Sequence, residues 1–396
     1  MNAFAVQNSA TKITMSSCSE LTPSSNRFLK PARIALFLGF SLLFTSLVFN
    51  SPAFAQEPAV TYTTITAPGA GTAKNQGTLP AAMNTSGAIA GSYYDSTGVS
   101  HGFARSSSGT ITTISATGAG TKSGQGTYGI QINTGGTIAG YYKDSSGADH
   151  GYTRTSSGTI TAFTVSGGGK ASGQGTECCG INTHGTLSGY YIDSKNVSHG
   201  FVRTSAGVVT SYNITGAGTG ADQGTKGGAI NDSGTVTGSY IDKSGVKHGF
   251  VRTAAGAITT YSVSGAGTVS GQGTFPIYIN SAGTVVGYYI DSKDDYHGFE
   301  RSSAGVITDI NVTGATDTLA IGINTAGTIT GYYLTSKKTL ESFSRSSSGT
   351  FTTFEAPGAG SGVAQGTFAF AINTGGSITG YYLTSGTVFE GFLRTP

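Results

Sequence analysis

The sequence predicts an all-β fold: a ring of seven four-stranded antiparallel blades, a β-propeller, closed by an N-terminal strand that joins the last blade. Three observations carry that reading. His-Gly-Phe or His-Gly-Tyr recurs at His101, His150, His199, His248 and His297 with a period of 49 residues, and degenerate copies follow at Glu341 and Glu390. Fixed self-similarity on this scale marks supersecondary units, none of which buries its apolar face alone. Between these beats, aromatic and β-branched residues come in short runs bounded by Gly, Ser, Asn and Asp, the pattern of many strands joined by turns, and no long helical period appears after residue 55. The phase of the repeat supplies the third observation. A strand-like run at Val60–Thr66 has no unit before it, while the last unit ends at Glu390–Thr395 without its fourth strand. Pairing the two closes a ring and removes the open edges that an array of coils would leave.

The second copy, Gly109–Ser157, shows the four strands: D at Thr110–Ser115, A at Tyr128–Asn133, B at Thr137–Lys143 and C at His150–Thr155. A joins B through Asn133-Thr134-Gly135-Gly136, and the same asparagine stands at Asn84, Asn182, Asn231, Asn280, Asn324 and Asn373. Asn caps its own turn and a following Gly takes the left-handed conformation, so a hairpin explains this column without a ligand. B joins C through Asp-Ser-x-Gly segments such as Asp95–Gly98 and Asp144–Gly147, again turn chemistry.

The chain divides into a leader, residues 1–55, and a repeat region, 56–396, whose sixth copy is shortened. Arg27, Lys30 and Arg33 precede an apolar stretch from Ile34 to Phe49, and Ala53 and Ala55 fit the small-residue rule for signal cleavage. The stretch falls short of the ~20 residues that span a bilayer. The expectation is therefore a secreted or periplasmic protein starting at Gln56, with no stable membrane insertion after cleavage; Met1 and Met15 are both candidate starts. Of 22 basic and 19 acidic residues, 18 of each remain after the leader is removed, spread through the repeats, which argues against a nucleic-acid partner. Cys18 lies in the leader, and the neighbours Cys178 and Cys179 point to opposite faces of a strand, so the plainer reading is two small apolar fillers.

Comparing the copies within the chain separates architecture from candidate function. Tyr93, Tyr142, Tyr191, Tyr240, Tyr289, Tyr333 and Tyr382 never vary, nor do Arg105, Arg154, Arg203, Arg252, Arg301, Arg345 and Arg394. Both columns are expected to pack and hydrogen-bond between blades. Asp95, Asp144, Asp193, Asp242 and Asp291 each precede a histidine by six residues, and the last two copies lose both, carrying Thr335 with Glu341 and Thr384 with Glu390. Joint loss implies joint use: each carboxylate holds the imidazole of its own blade. A metal or sugar site in each of five blades is the rival, but one Asp and one His supply only two of the three or four ligands a metal needs. No metal and no cofactor is expected.

The long loops from D to A share one face with the turns from B to C, and they are where ligand contact is expected. Their recurrent amides, Gln76, Gln125, Gln174, Gln223, Gln272 and Gln365, suit a polyhydroxylated ligand. No catalytic residues are assigned: His-Glu-x-x-His, Gly-x-Ser-x-Gly and EF-hand patterns are absent. Glu177, Asp222 and Asp317, which occur in one copy each, are the carboxylates that an enzyme would draw on.

The frame Ile-Asn-Thr-x-Gly-Thr-Ile-x-Gly-Tyr-Tyr-x-Asp-Ser followed by His-Gly-Phe-x-Arg resembles the bacterial extracellular HAF repeats, named for a His-Ala-Phe tripeptide. It departs from them in carrying Gly102, Gly151, Gly200, Gly249 and Gly298 for the alanine. The resemblance implies a secreted bacterial propeller and brings no catalytic residues with it. The sequence thus points to a monomeric binding or adhesion module for a carbohydrate or cell-surface polymer. The alternatives are a structural surface or matrix protein without a discrete ligand and a polysaccharide-active hydrolase or lyase.

Overall fold

A computed structural model describes residues 60–396, so the leader with its cleavage signal and Cys18 lies outside the described residues. Twenty-eight strands and no helix occur among the described residues. Antiparallel pairing groups consecutive strands in fours: the first unit is A Gly77–Met83, B Ile89–Tyr94, C Ser100–Arg105 and D Ile111–Ile114. In the last unit, A Gly366–Ile372, B Ile378–Leu383 and C Phe389–Thr395 are completed by Thr61–Ile65, which pairs antiparallel with the C strand in register Thr61↔Thr395. The two chain segments that the repeat phase left over do meet. The A strands are buried along almost their whole length, whereas D strands such as Val209–Tyr212 are largely exposed, so each unit runs from inside to outside in the order A, B, C, D.

Units join through the first residue of each C strand. In every unit but the fifth its N–H donates to the carbonyl of the glutamine that ends the next D–A loop, as from Ser100 to Gln125 and from Ser198 to Gln223, both 2.9 Å. The glycine after that glutamine then pairs parallel with the C residue, Ser100 with Gly126 and Asp149 with Gly175. Only glycine fits: Gly126 has φ +113° and an added Cβ would lie 2.0 Å from the Ser100 carbonyl. The same bond closes the ring, from Phe389 N–H to the Gln76 carbonyl at 2.8 Å.

The asparagine column does more than cap its hairpin. Asn182 Oδ1 accepts from the backbone of His184 and Thr186, as a turn cap should, while Nδ2 donates 3.2 Å to the carbonyl of Asn231 in the next unit. Asn84, Asn133, Asn231, Asn280 and Asn324 make the same step forward. One end of each amide shapes a hairpin and the other ties it to its neighbour.

The Gly of His-Gly-Phe has a steric reason. A Cβ on Gly200 would come within 2.5 Å of the Tyr212 ring, and one on Gly151 within 2.5 Å of Phe163, so an aromatic on strand D leaves no room for alanine at this position. The Tyr212 ring has nowhere to go, held edge-on against Phe250 and under the Arg252 guanidinium 4.9 Å from its centroid. Arg203, Arg301 and Arg394 stack in the same way on Phe163, Tyr261 and Phe354 of the preceding unit, so the arginine column does pack between units. The tyrosine column works both within and between units: Tyr93 stacks on His101 and bonds Thr113 of its own unit, and it joins an apolar cluster with Ile65 and Ala67 of the strand and loop that precede that unit.

Two stability measurements follow. Asn182→Ala removes the bond between units, leaving the Asn231 carbonyl with Gly234 N–H alone, and unpairs the N–H groups of His184 and Thr186; it is expected to lower unfolding free energy by roughly 1–3 kcal/mol, with Asn182→Asp, which keeps the cap, falling between it and wild type in urea titrations. Gly200→Ala is expected to cost about 1–3 kcal/mol by overpacking, and Gly102→Ala less, because its nearest neighbour, Ile114, stands 3.2 Å away.

Candidate binding face

The D–A loops and B–C turns form one face, and hydrogen bonds lock them together. Gly120 N–H donates to the Lys143 carbonyl at the end of strand B, and Gly124 N–H donates to the Gly98 carbonyl in the B–C turn of the preceding unit. The glutamines nominated for ligand contact complete this bracing. Gln125 Oε1 accepts from Lys122 N–H three residues back, and Nε2 donates to the Ser145 carbonyl in the B–C turn. Gln76, Gln223 and Gln365 repeat both bonds; Gln174 repeats the first and directs Nε2 to Asn196 Oδ1, while Gln272 directs Nε2 to Asp294 Oδ1. Their amides are engaged within the chain, so they set the loop shape and leave the tips to face outward.

Each tip carries residues that differ between copies. Lys74, Lys122, Lys170, Ala221, Val269 and Val363 are exposed there, and Lys195, Lys243, Lys293 and Lys337 are exposed in the B–C turns. Lysine and arginine, mixed along the sequence, separate in space: lysines gather at this end, and the arginine column lies toward the C–D turns. Asp222, Asp294 and Asp295 are exposed among the lysines, so the face is mixed in charge.

Recessed behind the tips lie the five Asp–His pairs. Asp95 Oδ1 accepts from Thr97 and Val99 N–H, and Oδ2 meets His101 Nε2 at 2.9 Å. The pairs of Asp144, Asp193, Asp242 and Asp291 repeat this at 3.0–3.4 Å. Every imidazole stacks on the cross-strand tyrosine with centroids 4.8–5.0 Å apart. The second ring nitrogen faces a D-strand-end side chain, Ser115, Thr164, Asn213 or Ser262. With both nitrogens engaged in these four, and with every pair split between turn and strand, the imidazole fastens the B–C turn to the sheet. Among the described residues no group of three His, Cys, Asp or Glu stands close enough to hold a metal ion. In the last two copies Tyr333 OH donates to Glu341, and Glu390 accepts from Thr66, while Thr335 and Thr384 keep the turn-capping bond and Thr335 adds one to the Thr339 hydroxyl.

The three single-copy carboxylates sit in different units and do different things. Asp317 stands where the other copies carry the junction glycine and takes over the acceptor role of the missing glutamine's carbonyl: its Oδ1 accepts from Tyr296 N–H at 3.0 Å, the bond a backbone carbonyl makes elsewhere. Asp222 is exposed on a loop, with φ +62°. Glu177 is 3 % exposed on an A strand, with Oε2 unpartnered. Nearby, buried Asp149 pairs with Lys143 at 2.8 Å; burial, reinforced by the Glu177 charge, raises its carboxyl despite that lysine. Cys178 is a buried free thiol, pushed up to about 12 by burial, and it packs in a different apolar cluster from Cys179, as alternation along a strand requires.

Four-stranded antiparallel units following one another in a closed cycle make a β-propeller. The propeller shares its fold with solved structures of low identity. A lectin from Burkholderia pseudomallei aligns over 78 % of this chain and 94 % of its own at 11 % identity, with a TM-score of 0.50. A prolyl endopeptidase aligns over 80 % of this chain at 11 % identity and a TM-score of 0.50, and this chain spans only 50 % of that enzyme. The Aleuria aurantia lectin, described as a six-bladed β-propeller with a novel mode of fucose recognition, aligns over 66 % of this chain and 88 % of its own at 15 % identity, with a TM-score of only 0.38. At these identities the likeness concerns the fold alone. No family model matches the sequence, and no curated protein does.

The Asp–His pairs set an acid limit. Burial alone would raise the Asp95 carboxyl, but bonds from His101 and from Thr97 and Val99 outweigh it and leave the pKa at about 2, below the ordinary 3.8. Asp144 lies at about 2 for the same reasons, and Asp193, Asp242 and Asp291 are also lowered. A depressed carboxylate stabilises the fold fully above its unfolded pKa and loses that contribution as pH falls through the folded value. Unfolding free energy is therefore expected to fall between about pH 4 and pH 2, and replacing all five with Asn is expected to flatten that slope in urea titrations.

Proposed function

We propose that the protein is a secreted, seven-bladed member of the HAF-repeat type, and that it is a binding module for carbohydrate or a cell-surface polymer, engaged through the face of long loops. The observation that carries the reading is the division of labour on that face. Residues that recur in nearly every copy, the glutamines and the Asp–His pairs, hold loops and turns rigid, while the residues free to project differ from copy to copy. A rigid scaffold presenting varied tips is the design of a recognition surface. Mixed lysine, hydroxyl and carboxylate groups suit a polar polymer better than an apolar partner. The likeness in fold to a bacterial lectin agrees with this reading without assigning a ligand.

A glycan array probed with the folded chain from Gln56 tests it. The expected result is saturable binding to a limited set of glycans, weakened roughly tenfold or more when Lys74, Lys122 and Lys170 are all replaced by Ala. A uniformly negative array from folded protein contradicts the glycan reading, and self-association with no soluble ligand favours the structural alternative.

A further inference from the structure

We propose that the axial cavity is a second binding site, for a small carboxylate with an apolar body, and that Lys226 pairs with its charge. The cavity, about 90 Å³, lies where the inner strands converge, in the half next to the asparagine hairpins and away from the long loops. Residues such as Ile130, Ala229, Ile277, Ile321 and Phe370 make most of its wall apolar. Among the described residues Lys226 is the only charged one that lines it.

The surroundings of that lysine are unusual for this chain. Equivalent positions in the other copies hold Leu79, Tyr128, Glu177, Phe275, Leu319 and Phe368, so the ammonium group answers no demand of the repeat. Among the described residues it enters none of the ion pairs, and its ammonium lies over the face of Tyr190, 5.0 Å from the ring centroid. Glu177, cross-strand from Tyr190, is not part of the lining and lies outside ion-pair range. A cation drawn toward apolar walls loses hydration, and one aromatic face restores little of it. An anionic ligand group restores more, and hydrocarbon against the isoleucines adds burial. Ser239, cross-strand from Lys226, supplies a neutral hydrogen-bonding group beside it, and Gln131 and Tyr278 supply others elsewhere on the lining. A sugar suits this wall poorly because most of its hydroxyls would face hydrocarbon, so the site is distinct from the loop face and independent of the glycan reading.

Calorimetric titration of the folded chain with benzoate and hexanoate, against the neutral benzamide and 1-hexanol, tests the proposal. The expected outcome is one site per chain for at least one carboxylate, roughly tenfold or more weaker in Lys226→Met and retained in Lys226→Arg. The neutral compounds are expected to bind wild type no better than Lys226→Met. Ile277→Trp fills the cavity while keeping the lysine and is expected to abolish binding, which keeps the test decisive if Lys226→Met does not fold. Failure of both carboxylates to bind folded wild type, or equal binding to Lys226→Met or Ile277→Trp, overturns the proposal.

Discussion

No unit of this protein completes its own hydrogen bonding. The first N–H of each C strand is buried at a junction and has to be paired, and its acceptor belongs to the next unit. Where the sixth copy is short and the glutamine is missing, the Asp317 carboxylate takes over the bond to Tyr296. That replacement shows which part of the loop is indispensable: its length and its glutamine are dispensable, but the acceptor is not. The asparagine amides impose the same dependence at the opposite end of the A strands, and the strand Thr61–Ile65 extends it around the ring by completing the last unit. Neighbour-to-neighbour bonding of this kind explains why the repeat keeps such strict time.

The same constraint sorts residues by freedom. Positions that carry junction bonds, brace loops or fasten turns recur because each junction poses the same problem. Two regions escape it: the loop tips, whose side chains are exposed, and the inner wall, where the space is shared by all the units. In the inner wall the fifth to last units present one aromatic and aliphatic cluster including Phe275, Tyr288, Tyr332 and Tyr381, whereas the third and fourth place Glu177 and Lys226. Variation in the inner wall and at the tips gives the repeat individuality in two places suited to contact with other molecules.

Much of the fold was legible in the sequence. Period and turn chemistry located the four strands of the second copy within two residues of Ile111–Ile114, Gly126–Ile132, Ile138–Lys143 and Asp149–Arg154, and the joint loss of Asp and His identified a bonded pair. Less legible were residues that work at both ends. Asn182 reads as a turn cap, and nothing in its spacing tells that Nδ2 crosses to the next unit; Gln125 reads as a loop amide open to ligand, and only the geometry shows both of its ends occupied. Depth was hidden too. Glu177, Lys226 and Asp317 all appear as breaks in a column, but a column does not reveal whether a break caps a strand, lines a cavity or lies buried without a partner.

Ring closure is the most direct point of attack. Equilibrium urea unfolding of the chain from Gln56 should be compared with a chain that starts at Ala67 and so lacks Thr61–Ile65, each with and without a peptide covering Val60–Thr66. A single cooperative transition is expected for the longer chain, with loss of cooperativity or self-association in the shorter one and restoration by the peptide. An unchanged midpoint and slope in the shorter chain would contradict the dependence of every unit on its neighbours.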